Sequence, residues 1–188
     1  MPAPRSPEDL LTTELKEIYS AERQLTRALP KLQKQVASER LREMLNKRRD
    51  QGTALIEQLD QIFEEMEVSK GRVKNVAAEG LLEDMNQHVE EIKQEKLLDP
   101  VLLASLQKVE HYCIAAWGTA ASMGRLMGQQ TVVKTMEKVL EEGKQFDNEL
   151  TELAEQEVNP AMLGEGEENE DEDEGNKGKR AGKGNRRK

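Results

Sequence analysis

Apolar side chains recur every three or four residues through four long stretches of this chain, and this spacing constrains the fold more than any other feature. In the first stretch, for example, Leu11, Leu15 and Ile18 continue to Leu25 and Leu29. A stripe with this period indicates an amphipathic α-helix that buries one face. At about 1.5 Å per residue, helices of about 28 residues are about 40 Å long. The sequence therefore predicts long helices packed side by side.

Capping residues, prolines and glycines separate these stretches. Ser6–Pro7 and Asp99–Pro100 each place an N-cap before a proline, Ser38 can cap a helix, and Gly128 can break one. The first predicted helix spans residues 7–36 with a bend near Pro30, and the second ends near residue 67. The fourth runs from Asp99–Pro100 to about Met127, and the fifth ends at Asn159–Pro160. A turn at residues 69–71 precedes a short third helix over about 73–95, with inward residues Leu81, Met85, Val89 and Ile92.

Two helical hairpins joined by a short helix make a specific arrangement. Long amphipathic helices with short turns pack as an antiparallel bundle. The order long, long, short, long, long predicts an all-α, ferritin-like four-helix bundle with a crossover helix. Residues 1–163 are expected to form this single domain.

Composition excludes several other classes of protein. No apolar run is long enough to cross a bilayer, and the first residues, MPAPRSPEDL, lack the apolar core of a signal peptide, so we expect a soluble cytoplasmic protein. Cys113 is the only cysteine, which excludes a disulfide within the chain. The net charge of −9 argues against a domain whose core function is nucleic-acid binding.

Residues 164–188 differ from the rest of the chain in being an acidic block followed by a basic one, almost without apolar side chains. Such a segment cannot bury enough apolar surface to fold, so we predict a disordered, solubilising tail. Its basic end could touch the phosphates of a nucleic acid. It lacks stacking aromatics, however, and the acidic block would compete for it.

Two charged residues interrupt the apolar stripes. Glu22 lies between Ile18 and Leu25, and Arg48 lies between Leu45 and Leu55. Both should point into the bundle, where a charge is costly unless it is paired or bound to a metal. Ferritin-like di-metal proteins place carboxylates and histidines in this way.

The chain resembles the YciE/YciF-type ferritin-like family of bacterial stress-induced proteins over residues 10 to about 156. The resemblance is carried by ELKEIYSAERQLTRALPKL, LIEQLDQIFEEM, KVEHYCIAAWGTA and VLEEGKQFDNELTELA, of which the third is the most distinctive. It implies a four-helix fold, usually dimeric, with a di-metal site and a role in stress response. We also expect a homodimer or higher oligomer from the number of apolar positions.

The resemblance implies a set of metal ligands, part of which this chain retains. The matching positions are Glu22, Glu110, His111, Glu141 and Glu142. Where the family usually has a histidine, an acidic residue and a threonine on the second helix, this chain has Arg48, Gln51 and Gly52. Where the helix-four motif usually has a glutamate, it has Cys113. An arginine cannot bind a metal, because its guanidinium stays protonated.

Some of these residues also have ordinary structural interpretations. Glu110 and His111 are adjacent, so they point about 100° apart on a helix and cannot easily face one metal. Cys113 suits the role of a small buried apolar residue. Of Glu141 and Glu142, we expect one to point partly inward and the other to water.

The sequence is therefore compatible with two functions. In the first, Arg48 replaces a metal cation at a degenerate site and the protein acts as a dimeric structural or interaction protein, not as an enzyme. In the alternative, the protein binds iron or manganese as a di-iron or di-manganese oxidase, peroxidase or catalase-type antioxidant. The presence of Cys113 where the family has a glutamate, and of Arg48 where it has a histidine, favours the first.

Overall fold

The computed structural model describes residues 3–163, which form a bundle of α-helices. The helices are α1 (Pro7–Leu32), α2 (Glu39–Glu65), α3 (Val76–Glu91), α4 (Leu98–Leu126), α5 (Gln130–Leu153) and the short α6 (Asn159–Leu163). The pairs α1–α2 and α4–α5 are hairpins, and α3 packs on α4 and α1. This confirms the all-α, ferritin-like bundle with a crossover helix. The prediction for residues 164–188 lies outside the described part of the chain.

The core runs along the whole bundle and is built from the predicted stripes. Leu15, Leu59, Met136 and Phe146 are each completely buried. None of the helices described in residues 3–163 is long and apolar enough to cross a membrane.

The starts of α1 and α2 have the predicted caps. The Ser6 hydroxyl accepts a 3.1 Å hydrogen bond from the Asp9 amide, and the Ser38 hydroxyl accepts a 3.2 Å bond from the Leu41 amide. Each bond satisfies one of the amides left without a partner at a helix start.

The end of α1 differs from the prediction. The helix ends at Leu32 rather than near residue 36, so the bend expected at Pro30 is instead the last turn of the helix. Proline has no N–H to donate to the preceding turn, which weakens continuation of the helix at this point.

Asp99 does not cap α4 as predicted. The fourth helix begins at Leu98, directly after a 3₁₀ turn (Glu95–Leu97). The Asp99 carboxylate instead accepts hydrogen bonds from the amides of Ala37 (3.0 Å) and Ser38 (2.7 Å). It thereby joins the start of α4 to the connection between α1 and α2, so α4 begins where α1 ends.

The end of the fifth helix was also predicted incorrectly. After Leu153 the chain makes a π-helical turn (Ala154–Val158) and continues into α6 through Asn159 and Pro160. Pro160 does not end the helix, because a proline in the first turn of a new helical segment removes no required hydrogen bond.

The third helix is shorter than predicted, and its predicted inward face is only partly buried. It begins after Asn75, whose side-chain oxygen accepts a 2.9 Å bond from the Ala78 amide, and it ends at Glu91 instead of near residue 95. Its buried residues are Ala78, Leu82 and Met85, whereas Leu81, Val89 and Ile92 are only partly buried. The helix packs on both α1 and α4, and Leu81 and Val89 also pack against the core.

Candidate functional site

Three charged side chains from three helices meet in the middle of the bundle. Glu22 of α1 and Glu110 of α4 are both 0% exposed, and Arg48 of α2 is 2% exposed. Each lies on the stripe that its helix turns toward the core, so the helical spacing that buries the neighbouring leucines also buries these charges.

The Arg48 guanidinium connects the two glutamates. Its two terminal nitrogens each donate a 3.0 Å hydrogen bond to one oxygen of Glu22, and its Nε donates a 2.7 Å bond to Glu110 Oε2. The pair with Glu22 is therefore bidentate. The planar guanidinium suits this geometry because its donors lie in one fixed fork.

The electrostatics of the cluster keep Arg48 charged. Burial lowers the Arg48 pKa, but the charges of Glu110 and Glu22 outweigh this and raise it well above its ordinary value. Burial raises the pKa of Glu110, and the charge of Arg48 opposes this. At the nearby thiol, burial and then the Glu22 charge raise the Cys113 pKa, so Cys113 stays neutral. A neutral thiol is a poor nucleophile and a poor metal ligand.

Trp117 covers the cluster on one side. The guanidinium carbon of Arg48 lies 5.4 Å from the centroid of the Trp117 ring, which is within the range of a cation–π interaction. The indole N–H is buried and has no hydrogen-bond partner among the described residues.

Two glycines make room for these groups. A Cβ on Gly52 of α2 would lie 2.7 Å from Thr26 Oγ1 and 2.9 Å from Glu22 Oε2. A Cβ on Gly143 of α5 would lie 2.9 Å from Glu110 Oε1 and even closer to the Trp117 ring. The role of these two glycines was not predicted from the sequence. The feature of the sequence that could have indicated this role is a glycine at a position where the neighbouring residues of the same stripe are large and apolar.

A small cavity lies beside the cluster. It has a volume of about 10 Å³ and is bordered by Arg48, Glu110 and Trp117, with Gln51 and Glu142 among the other lining residues. The Oε1 atom of Glu110 is buried without a partner among the described residues. A space of this size accommodates about one water molecule.

The other predicted ligand residues lie outside the cluster or at its edge. Glu141 is exposed, and Glu142 is partly exposed with an oxygen 3.8 Å from Lys138 Nζ. The His111 side chain is 66% exposed, and its Nε2 lies 3.2 Å from Asp147 Oδ2. The structure therefore brings Glu22, Arg48 and Glu110 together but leaves His111 and Glu141 at the surface.

The cluster is arranged as an arginine between two carboxylates. Across residues 3–163, no group of three or more His, Cys, Asp or Glu side chains converges as metal ligands would. Both glutamates that face the centre accept hydrogen bonds from Arg48, which itself has only donors.

Fold and site together define a ferritin-like helical bundle with a buried charged centre. Residues 6–163 match the family described as a domain of unknown function (DUF892), and the chain belongs to that family. It is 39% identical to Protein YciF of Escherichia coli (strain K12) over 153 residues, which cover 81% of this chain and 92% of that protein. This confirms the resemblance to the YciE/YciF-type family.

Two solved structures have the same fold. The crystal structure of the E. coli stress protein YciF matches with a TM-score of 0.79 and 38% identity, covering 83% of this chain and 99% of that one. The structure of YcfI from Rhodopseudomonas palustris matches with a TM-score of 0.75 and 33% identity, covering 78% of this chain and 94% of that one.

Proposed function

We propose that this protein is a stress-response member of its family in which Arg48 takes the place of a metal cation, and that it acts as a dimeric structural or interaction protein rather than as a redox enzyme. The observation that carries the proposal is the set of three hydrogen bonds from buried Arg48 to Glu22 and Glu110. The stress role is supported by the relative YciF, which is described as a stress protein.

Glu22 and Glu110 are two buried carboxylates close to the same cation. Two carboxylates in a low-dielectric core repel each other and lose their hydration, so a positive charge is required between them. In a di-metal protein the ions supply that charge. Here the guanidinium supplies it, with a cation that is covalently part of the chain and does not depend on metal supply.

The chemistry available at such a centre is limited. A guanidinium does not change oxidation state, has no open coordination position and does not release its proton at neutral pH. The neutral Cys113 thiol offers no nucleophile. The cluster is thus suited to fixing the relative positions of α1, α2 and α4, which keeps the outer faces of the bundle in a defined arrangement.

Metal analysis tests this proposal. After expression in medium supplemented with iron and manganese, the purified protein should contain far less than one ion per chain. The double variant Arg48→His with Cys113→Glu restores two ligand types and removes the competing charge, so its metal content should rise. Arg49→His with Cys113→Glu is the matched control, because Arg49 is a partly exposed neighbour paired with Asp50.

One result would decide for the alternative function. If the unmodified protein binds close to two iron or manganese ions per chain, and Glu22→Gln or Glu110→Gln abolishes that binding, then Arg48 does not replace the cation. The protein would then be a candidate for oxidase, peroxidase or catalase-type activity.

The dimer is a separate part of the proposal. Leu10 near the start of α1 is 44% exposed, and Leu126 at the end of α4 is 88% exposed. Since α4 begins where α1 ends, these two residues lie toward the same end of the bundle. A dimer interface would bury this apolar surface. Sedimentation at tens of micromolar should show a dimer or larger species, and a monomer alone would contradict the proposal.

A further inference from the structure

A basic groove lies between α1 and the connection from α2 to α3, away from the buried cluster. Its basic side chains are Lys16, Arg23, Arg27, Lys70, Arg72 and Lys74, and they surround a volume of about 440 Å³. The whole chain has a net charge of −9. This groove is therefore a local concentration of positive charge on an acidic protein.

Most of the groove's charges have no carboxylate partner in the described part of the chain. Lys70 pairs with Asp60 at 2.6 Å and Lys74 pairs with Glu79 at 2.5 Å. No ion pair within residues 3–163 involves the remaining four basic residues, which are Lys16, Arg23, Arg27 and Arg72.

Two of the groove's cations also lie close to one aromatic ring. The guanidinium carbon of Arg23 lies 5.6 Å from the Tyr19 ring centroid, and Lys70 Nζ lies 5.5 Å from the same centroid. Cation–π contacts of this kind hold both positive groups over one side chain. An anionic occupant beside this ring would therefore interact with both cations at once.

We propose that the acidic block of this same chain, residues 165–174, docks in the basic groove. Eight of these ten residues are Asp or Glu. The block carries no positive charge and offers several carboxylates in succession, which complements the basic side chains of α1 and of the connection from α2 to α3. Arginine forks also favour carboxylate partners because they donate two parallel hydrogen bonds.

The acidic block begins near enough to the groove to reach it. Ala161 borders the same surface depression as Ala37 and Ser38, next to the end of α1. From there to Arg27 is about 15–20 Å along the bundle, and the groove continues for about 16 Å to Lys16 at the helical rise per residue. The eleven residues 164–174 extend to about 36 Å at about 3.3 Å each. About half of this length spans the distance to Arg27, so residues 170–174 are the part of the block that lies along the groove.

Attachment to the same chain makes this occupant favourable. Residues 164–169 act as a short tether, and a tether that matches the distance gives the attached segment an effective concentration in the millimolar range. The docked block would cover the groove and would separate the acidic residues from the basic residues 177–188. Those basic residues would then be available to bind an anionic partner.

Zero-length cross-linking of the full-length protein tests the docking. A carbodiimide joins a lysine amine to a carboxylate in contact with it, and mass spectrometry identifies the joined residues. We expect Lys16, Lys70 and Lys74 to cross-link to residues 165–174 at about 0.05 M NaCl and to lose these links at about 0.5 M, where the Debye length falls to about 4 Å. The Lys70–Asp60 pair at 2.6 Å is an internal positive control for the reaction.

A variant that lacks three arginines of the groove measures how much the groove contributes to docking. Replacing Arg23, Arg27 and Arg72 with Gln leaves the reactive lysines in place, and the yield of links to the acidic block should fall about tenfold, the combined effect of three exposed ion pairs of ordinary strength. The control variant carries Arg49→Gln, Arg125→Gln and Lys134→Gln, which removes the same charge from other faces, and its yield should match the unmodified protein.

Three results would overturn the proposal. The first is that the block links only to the lysines of residues 177–188. The second is that it links to all exposed lysines at similar yield. In a mixture of ¹⁴N and ¹⁵N protein, links that join light to heavy chains would show that the occupant comes from a second copy. Docking within one chain predicts links between residues of the same isotope only.

Discussion

Removing the positive charge from the buried cluster should destabilise the fold strongly. Arg48→Ala deletes three charge-assisted hydrogen bonds of 2.7, 3.0 and 3.0 Å and leaves Glu22 and Glu110 fully buried without a cation. A hydrogen bond to a charged group contributes about 1.5–3 kcal/mol, but the bonds of one guanidinium are not additive. Breaking a buried ion pair costs about 3–5 kcal/mol. We expect a loss of this size in the free energy of unfolding.

The loss should also depend on pH. Burial raises the pKa of Glu110 and the charge of Arg48 lowers it, so without Arg48 the pKa in the folded state rises further above its unfolded value. A carboxyl group with a raised folded pKa favours folding at a pH below its unfolded pKa, and this contribution is lost as the pH rises through the folded pKa. Arg48→Ala should therefore destabilise the protein more at pH 8 than at pH 5.

Urea unfolding followed by circular dichroism measures both effects. Arg49→Ala is the matched control, because this neighbour on the same helix is 36% exposed and pairs only with Asp50, so it should change stability by less than about 0.5 kcal/mol. The reasoning is refuted if Arg48→Ala differs from the unmodified protein by less than about 1 kcal/mol at pH 8. It also fails if the loss is the same at both pH values.

Three further changes test the packing, the connection between helices and the tail. Gly143→Ala should cost about 1–3 kcal/mol because the added methyl group meets the Trp117 ring, whereas Gly80→Ala, with nothing within 4 Å, should be neutral or slightly stabilising in the same urea assay. Asp99→Ala should cost about 1–3 kcal/mol because two backbone amides lose their acceptor, and a change below about 0.5 kcal/mol would contradict this. Deleting residues 164–188 should leave the melting temperature nearly unchanged at about 0.5 M NaCl, where attraction to the groove is screened, and a large drop would show that the tail packs on the core.

Much of the fold could be predicted from the sequence because helix formation and core burial are both encoded in local spacing. The stripes gave the order of the long helices, and Ser6 and Ser38 cap them as expected. The errors fall where a residue has a partner distant in sequence. Asp99 looks like a cap in its local sequence, but it binds amides at residues 37 and 38, and no local rule predicts that contact.

The site was predictable to the extent that its residues interrupt a stripe. Glu22 and Arg48 stood out because charges occupied inner positions, and the structure places them in contact with Glu110. The cover provided by Trp117 was not predictable, since it depends on how α4 is rotated against α2. Spacing did predict that His111 points away from Glu110 and that one of Glu141 and Glu142 faces water, and His111 and Glu141 lie at the surface.

The guanidinium of Arg48 fills a closely bounded space in the core. A Cβ on Gly52 would lie 3.2 Å from a terminal nitrogen of Arg48, and the Trp117 ring centroid lies 5.4 Å from the guanidinium carbon. A histidine at this position is shorter and leaves part of that volume unfilled, and an unfilled volume in a close-packed core costs stability. Restoring a ligand to position 48 should therefore increase metal binding at the expense of folding stability in metal-free buffer, and added metal should recover part of the loss, because binding to the folded state alone stabilises it.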